Sequence, residues 1–403
     1  MSKQRLNLAD PAVRADPYST YRYLREHSPI VGVKRALVGQ VWYISRYADV
    51  AAAFRDPRLV SDRVNVGDGK GHLRWFPKSI RTLSRSMIST DEPEHRRLRS
   101  LVHLAFTPRM VEALRKGVEA VVERLLGEMA AKREVDLIAD FALPVPLTII
   151  CEMMGVREAD RVGFHHRTNR FLELTDAGPL GVVTGLSNTM AMIKFFRRLV
   201  AEHRLEPRGD LVDALLAAEA EGDRLSEDEI VSMIFLLLLA GHETTINLIG
   251  NGMLALLEFP EQLARLREEP ALIESAIEEL LRYANPVEQV SPRFAREDLE
   301  IAGQVVRRGD VVACLIASAN RDPAAFERPD ELDLGRTPNR HLAFGMGIHY
   351  CLGAPLARME GRLAINALLQ RFPEIRLAVP RDKLRWRKSV HVHSLRELPL
   401  RLG

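Results

Sequence analysis

The chain has 403 residues, 46% of them hydrophobic, and its 57 Lys and Arg residues nearly balance 54 Asp and Glu residues. A formal net charge of +3 argues against nucleic-acid binding as a property of the whole chain. The three cysteines, Cys151, Cys314 and Cys351, are odd in number and far apart, so they predict no disulfide framework. We therefore expect a globular protein of the reducing cytoplasm.

No stretch of the sequence predicts an anchor or a linker. The N-terminus has a basic start without an apolar run behind it, which argues against a signal peptide. The most apolar run, residues 234–240, reaches His242 and Glu243 too early to span a bilayer. No repeat or low-complexity tract divides the chain. We expect one domain over residues 1–403, a monomer, and no membrane contact.

In chain order, the first elements are a short helix over residues 18–26 and a strand over 41–44. Periodicity is then lost over residues 60–89, and a non-periodic connection of that length is typical of a lid or a binding loop. Helical periodicity returns over residues 92–105, 109–132, 141–154, 158–174 and 186–204.

Ser226 and Glu229 form a capping box that predicts the start of a long helix over residues 226–258. At about 30 residues, or about 45 Å, this helix would cross a whole domain. It is apolar on nearly every side, so we expect it to be central and buried. A further helix is predicted over residues 272–283, followed by short strands. The predicted class is mainly α with minor antiparallel β structure.

The most specific pattern lies at residues 344–353, which read Phe-Gly-Met-Gly-Ile-His-Tyr-Cys-Leu-Gly. Pro355 indicates that a helix starts just behind Cys351, and the free N–H groups of a helix start stabilise a thiolate. An inert buried cysteine would not explain the clustered glycines. A dinucleotide fingerprint would need a third glycine at another spacing and a βαβ unit. A thiolate ligand to a flat macrocycle accounts for all three features.

This segment resembles the haem-binding loop of the cytochrome P450 superfamily. Every position of that family's Phe-Gly-x-Gly-x-His-x-Cys-x-Gly pattern is matched, and further family motifs follow in order over residues 91–358. The resemblance implies the P450 fold, with haem b (iron protoporphyrin IX) between the 226–258 helix and the 344–353 loop. It makes Cys351 the proximal iron ligand and places Phe344 and Gly345 against the haem.

The motif Ala-Gly-His-Glu-Thr-Thr at residues 240–245 interrupts the apolar helix. Taken alone, this motif would indicate a hydrogen-bonded polar network in the core. A zinc-protease site is excluded, because its motif would need a second His where Ile246 stands. The resemblance implies a distal oxygen site beside Ala240. Gly241 would leave room for O₂, with a local π-bulge that widens the groove. Thr244 would offer its hydroxyl and Glu243 would relay protons.

Several charged residues would be ordinary surface groups by spacing alone. The resemblance implies a buried pair, Glu279 and Arg282, completed by Arg336, although Leu332 stands where the family more often has Phe. It also implies that four residues contact the haem propionates. These residues are His95, Arg99, Arg293 and His349.

The implied activity is insertion of one oxygen atom of O₂ into a lipophilic small molecule, by hydroxylation or epoxidation. An apolar pocket is predicted for that substrate. Its lining residues would be Leu236, Leu239, Val287, Val290, Ser291 and Leu395.

The chain lacks the cysteine set for an iron–sulfur cluster and a unit for flavin or nicotinamide, so electrons must come from a separate protein. A ferredoxin or flavodoxin with its NAD(P)H reductase is expected. Six residues would form a basic face suited to an acidic partner, or simply a basic surface. They are Arg96, Arg97, Arg115, Lys116, Arg340 and Arg358.

Two alternative functions stay open at this point. A peroxide-driven peroxygenase would use the same thiolate, but the Glu243-Thr244 pair is typical of O₂ activation. A haem sensor or electron carrier without turnover would need neither that pair nor a long lid-like loop.

Overall fold

The computed structural model describes residues 6–35, 38–67, 86–176, 178–220, 222–290 and 292–403. Its α-helices, in chain order, are α1 (Pro11–Ala15), α2 (Pro17–His27), α3 (Tyr47–Ala53), α4 (Glu94–Ala105), α5 (Pro108–Ala113), α6 (Arg115–Ala130), α7 (Pro144–Met153), α8 (Glu158–Asp176), α9 (Gly178–Leu205), α10 (Leu211–Ala217), α11 (Glu227–Glu258), α12 (Pro260–Glu268), α13 (Ile273–Tyr283), α14 (Ile316–Ala319) and α15 (Ala354–Arg371).

The strands are short by comparison. They are β1 (Ile30–Arg35), β2 (Gly39–Ile44), β3 (Leu59–Val60), β4 (Glu134–Asp136), β5 (Glu219–Ala220), β6 (Asp223–Arg224), β7 (Arg293–Ala295), β8 (Leu299–Ile301), β9 (Gln304–Val306), β10 (Val311–Cys314), β11 (Arg376–Leu377) and β12 (Pro399–Arg401).

The chain divides into two compact units. Unit 1 comprises Met1–Lys70, Glu119–Leu143 and Thr244–Gly403, and unit 2 comprises Gly71–Val118 and Pro144–Glu243. The long helix α11 contributes residues to both. The predicted single domain over residues 1–403 stays a prediction.

Unit 1 contains a five-stranded sheet in the order β1-β2-β10-β7-β3. Its β1–β2 ladder is antiparallel, whereas β10 runs parallel to β2, with Val311 opposite Val41. A parallel pair needs a long crossover, and the chain between Ile44 and Val311 provides one. The predicted mainly α class with minor β structure is confirmed, with this one ladder parallel instead of antiparallel.

Unit 2 is built from helices around a cluster of aromatic rings. The ring centroids of Phe195 and Phe196 are 5.7 Å apart, and those of Phe196 and Phe235 are 6.2 Å apart. Both pairs meet edge to face, which is a favoured arrangement for aromatic side chains. The cluster therefore holds α9 against the first half of α11.

The predicted capping box is present at the start of α11. The Ser226 N–H donates to the Glu229 carboxylate at 2.7 Å, and the helix begins at Glu227. α11 also has the length and apolar composition needed to cross a membrane, as do core helices of soluble proteins, and 56% of its most apolar stretch is buried.

The helix predicted over residues 109–132 is instead two helices, α5 and α6. The break falls at Leu114, whose N–H bonds to the Val111 carbonyl three residues earlier at 3.1 Å. That tighter spacing interrupts the four-residue hydrogen-bond ladder of an α-helix. Apolar periodicity continues across such a break, so the pattern alone did not reveal it.

Candidate active site

Cys351 lies in a loop whose backbone is held in a turn. Its N–H donates to the Phe344 carbonyl at 2.9 Å, and α15 begins three residues later with Pro355 in its first turn. Gly345 and Gly347 have φ of 68° and 74°, a region that favours glycine. A Cβ on Gly347 would also lie 2.6 Å from the Phe54 carbonyl oxygen. The loop therefore requires glycine at residue 347.

The three cysteines differ in their surroundings. Cys151 and Cys314 are buried, and burial raises the pKa of each thiol to about 12. Both are neutral thiols at physiological pH. Cys351 is only partly buried and lies next to a helix start. Of the three, it alone has the surroundings of a thiolate ligand.

Two of the predicted propionate contacts, Arg293 and His349, meet at one hydroxyl. Arg293 donates to Ser61 Oγ, and Ser61 Oγ lies 3.1 Å from His349 Nε2. Arg293 is on β7 and almost completely buried. Ser61 was not predicted, because it lies in the 60–89 stretch where the sequence has no periodicity. Residues 68–85 of that predicted loop lie outside the described residues.

The other two predicted propionate contacts lie in unit 2 on α4. His95 and Arg99 are four residues apart and so share one face of this helix. His95 is fully buried, whereas Arg99 is partly exposed.

A stripe of accessible residues runs along the middle of α11. Leu236, Leu239 and Glu243 are partly exposed and Ala240 is exposed, and their spacing of three and four residues places them on one helix face. Thr244 is also partly exposed. Their neighbours Leu238, His242 and Thr245 are buried. A buried helix with an accessible stripe at its centre suits a bound group.

The π-bulge expected at Gly241 is absent. α11 is α-helical without interruption from Glu227 to Glu258, and a π-bulge would need one extra residue in a turn. A Cβ at Gly241 would lie 3.7 Å from Ile150 Cδ1, which is an ordinary van der Waals distance. Within the described residues, the protein itself therefore does not require glycine at this position.

Glu279 and Arg282 form a fully buried ion pair on α13. Arg282 Nε and Nη2 each lie 2.8 Å from a Glu279 carboxylate oxygen, and Arg336 Nε lies 3.1 Å from both oxygens. Asn339 Nδ2 adds a further donor at 3.1 Å. The three predicted residues are thus together, and Asn339 joins them without a recognisable sequence signal.

The predicted pocket residues have varied surroundings. Val287 forms a β-bridge with Val392, and Leu395, almost fully buried, forms another with Trp386. Val290 packs against the core cluster beneath the five-stranded sheet. Ser291 lies outside the described residues.

The predicted basic face is largely neutralised by carboxylates. Arg97 bonds to three of them, Glu94, Asp223 and Glu229, and Arg96 pairs with Glu92 at 3.0 Å. These pairs lower the net positive charge that these arginines would offer to an acidic partner. The charge count of the sequence did not reveal this pairing.

Arg115 pairs with Glu112, and Arg358 bonds to Glu278 at 2.7 Å. Burial alone would raise the pKa of Glu278, but hydrogen bonds from Arg358 and His341 hold it down to about 2. Arg358 is therefore a bound, structural cation, and four of the six predicted basic residues have a carboxylate partner.

Comparison with known proteins decides the family. A family model described as Cytochrome P450 matches residues 183–390. The polyketide biosynthesis cytochrome P450 PksS of Bacillus subtilis (strain 168) is 42% identical over 395 residues, which is 96% of each chain. This chain is a cytochrome P450.

Solved structures agree over nearly the whole length. The cytochrome P450 PksS of the Bacillus subtilis 168 bacillaene polyketide synthase has a TM-score of 0.93 and 40% identity, covering 99% of this chain and 100% of that one. P450BioI, solved with acyl carrier protein ligated to hexadec-9Z-enoic acid, has a TM-score of 0.89 and 35% identity over 98% and 100% of the two chains.

This cytochrome P450 is a haem-thiolate monooxygenase of small molecules, like the family to which it belongs. The described residues suit a haem: a partly exposed cysteine in a glycine turn at a helix start, a buried Arg293 joined through Ser61 to the partly exposed His349, and an accessible stripe on α11.

Proposed function

We propose that this cytochrome P450 binds haem b through the Cys351 thiolate and oxygenates a lipophilic, polyketide-type small molecule. The observation that carries the proposal is the surroundings of Cys351. The N–H groups at the start of α15 favour a negative sulfur, whereas the other two cysteines are buried, neutral thiols.

The haem, when bound, supplies the chemistry that activates O₂ for insertion of one oxygen atom. Arg293 and His349, held together by Ser61, would bind propionate oxygens by charge-assisted hydrogen bonds. His95 and Arg99 would do the same from α4. Phe344, Gly345 and Ala240 would lie against the flat group and keep water from it.

The Thr244 hydroxyl and the Glu243 carboxylate would hold and move protons. They are consecutive residues at the end of the stripe of α11 that would face the bound group. Glu243 would take up a proton and pass it to Thr244 Oγ1, and that hydroxyl would donate it toward the oxygen that leaves as water. Gly241 would leave space beside them.

The substrate class rests on relatives and on the apolar lining. PksS is described as a polyketide biosynthesis enzyme, and the predicted lining is apolar, with Leu236, Leu239 and Val287 among its members. An apolar pocket with few polar groups favours a lipophilic substrate. Electrons would come from a separate ferredoxin or flavodoxin, and the reaction would take place in the cytoplasm.

A second candidate substrate is a fatty acyl group held on a carrier protein. P450BioI was solved with such a ligand, and this chain matches it over nearly its full length.

The purified holoenzyme tests these functions. Polyketide lactones, free fatty acids and acyl groups on a carrier protein are titrated, and the shift of the haem spin state is recorded. Hits are incubated with isotopically labelled O₂, NADPH, a surrogate ferredoxin and its reductase. Labelled product from a free lactone supports the proposal, and product from the carrier-bound acyl group alone favours the second candidate.

Two further results would point to the alternative functions. Turnover with hydrogen peroxide but not with the ferredoxin system would indicate a peroxygenase. Binding across the whole panel without any oxygenated product would indicate a sensor or carrier.

A further inference from the structure

A cavity of about 430 Å³ lies within unit 1, away from Cys351 and from the accessible stripe of α11. Its floor is buried and includes Asn251, Leu254 and Ala284, whereas Asp16 and Ser19 are exposed at its mouth. Small-molecule sites usually have volumes of about 300–1,000 Å³. The cavity is thus large enough for a ligand of fragment size.

Flat aromatic groups form much of its wall. The Trp386 and His393 rings are stacked, with centroids 3.7 Å apart and planes within 2° of parallel. The Arg321 guanidinium lies between the rings of Tyr18 and Tyr283, at 3.5 and 3.8 Å from their centroids. Such surfaces favour a planar aromatic ligand by stacking.

His393 adds no charge to this wall. Burial lowers its pKa to about 3, with nearby arginines acting in the same direction. Its Nε2 lies 3.0 Å from the Arg14 carbonyl oxygen, which can only accept, so Nε2 carries the hydrogen of a neutral ring.

Five of the six Asp, Glu and Arg residues that line the cavity are paired with one another, and the sixth, Asp16 at the exposed mouth, accepts a hydrogen bond from the Tyr18 N–H at 3.1 Å. Arg22 bonds to Asp330 at 2.7 Å, Arg321 lies 3.5 Å from the same carboxylate, and Arg381 bonds to Glu258. An anionic ligand would have to displace one of these partners and a cationic one would find only the solvent-exposed Asp16, whereas a neutral ligand needs neither. The charge pattern therefore favours a neutral ligand.

We propose that this cavity is a second binding site, for a neutral, planar aromatic small molecule. It is separate from the active site, because Asn251 lies seven residues beyond Thr244 on α11, or about 10 Å along the helix axis.

The cavity is nevertheless connected to predicted substrate-contacting residues. Trp386 bridges to Leu395, and Val392, the neighbour of His393, bridges to Val287. A ligand against Trp386 and His393 would therefore touch the bridge partner of Leu395 and the chain neighbour of the bridge partner of Val287.

The test follows Trp386 in the holoenzyme by fluorine NMR. The three tryptophans are labelled with 5-fluorotryptophan and assigned by single Trp→Phe substitutions, and 2-naphthol is the probe. We expect a saturable shift of the Trp386 resonance and no shift of Trp42, which is bonded to Asp310 and does not line the cavity.

Ser19→Phe should narrow the mouth and weaken binding by about tenfold, with Ser187→Phe, at an exposed serine of α9, as the matched control. An unchanged Trp386 resonance up to the solubility limit of 2-naphthol would overturn the proposal. So would equal affinities of the Ser19 and Ser187 variants.

A second arm separates this cavity from the active site. 4-Phenylimidazole ligates haem iron and fills the active site, so the 2-naphthol titration is repeated at increasing azole concentrations. We expect any change in 2-naphthol affinity to reach a plateau, as for two linked sites. An apparent Kd that rises without limit would show direct competition and overturn the proposal. Neither experiment needs turnover. Failure of the second-site proposal is therefore distinguishable from failure of the proposed oxygenation.

Discussion

The Thr245 hydroxyl donates a hydrogen bond to the Glu360 carboxyl at 3.2 Å. The contact joins α11, one residue beyond Thr244, to α15, the helix that follows Cys351. Glu360 is almost fully buried, and burial raises its pKa to about 8, partly offset by the bond from Thr245. Glu360 is therefore mainly protonated near neutral pH, and this polar contact between the two helices is uncharged.

This pKa predicts a pH dependence of stability. Folding raises the pKa of Glu360 from 4.5 to about 8. The contribution of the protonated Glu360 carboxyl to the free energy of unfolding is therefore fully present below about pH 4.5, and it is lost as the pH rises to about 8. Glu360→Gln keeps the shape without the ionisation. Its unfolding free energy relative to wild type should rise by about 1 kcal/mol per pH unit through that window. Denaturant unfolding at several pH values measures this, with exposed Glu300→Gln as control. A pH-independent difference would contradict the prediction.

Thr244→Ala should uncouple electron use from oxygenation, because it removes the hydroxyl that we propose as the proton donor to the leaving oxygen. We expect product formed per NADPH to fall by about tenfold or more, with hydrogen peroxide rising in its place. The matched control is Thr245→Ala. It should keep the wild-type coupling but lose about 1 kcal/mol of stability, because it leaves Glu360 without its donor. Equal coupling in the two variants would remove Thr244 from proton delivery.

Cys351→Ala should abolish the red-shifted Soret band of the reduced, CO-bound protein, since that band depends on a thiolate ligand to the haem iron. Cys314→Ala, in which a buried neutral thiol is shortened, should keep it. The absorption spectra of the two reduced variants under CO provide the measurement. Retention of the band in Cys351→Ala would refute the assignment of the ligand.

Glu279→Gln should be severely destabilising, because it leaves Arg282, which has no exposed surface, without its counter-charge. The expected loss is about 3–5 kcal/mol. Glu134→Gln, which breaks an exposed pair with Arg401, should cost less than about 1 kcal/mol. Thermal unfolding of both variants gives the comparison, and similar melting temperatures would contradict a structural role for the buried pair.

The sequence alone indicated the family by resemblance, and it predicted the order of the main helices and the identity of the candidate iron ligand. Each of these depends on local chemistry: glycines that permit a positive φ, a capping box that starts a helix, and a cysteine directly before one. Signals of this kind act over a few residues, so they can be recognised without knowledge of the fold.

Only the tertiary structure decided which side chains meet across the chain. Ser61 joins Arg293 to His349, Glu360 bonds to Thr245, Arg97 bonds to Glu229, and Arg358 bonds to Glu278. These contacts link residues that share no motif, and burial and pairing set the charge of each. A residue count cannot give that information, because a charge acts through its neighbours in space.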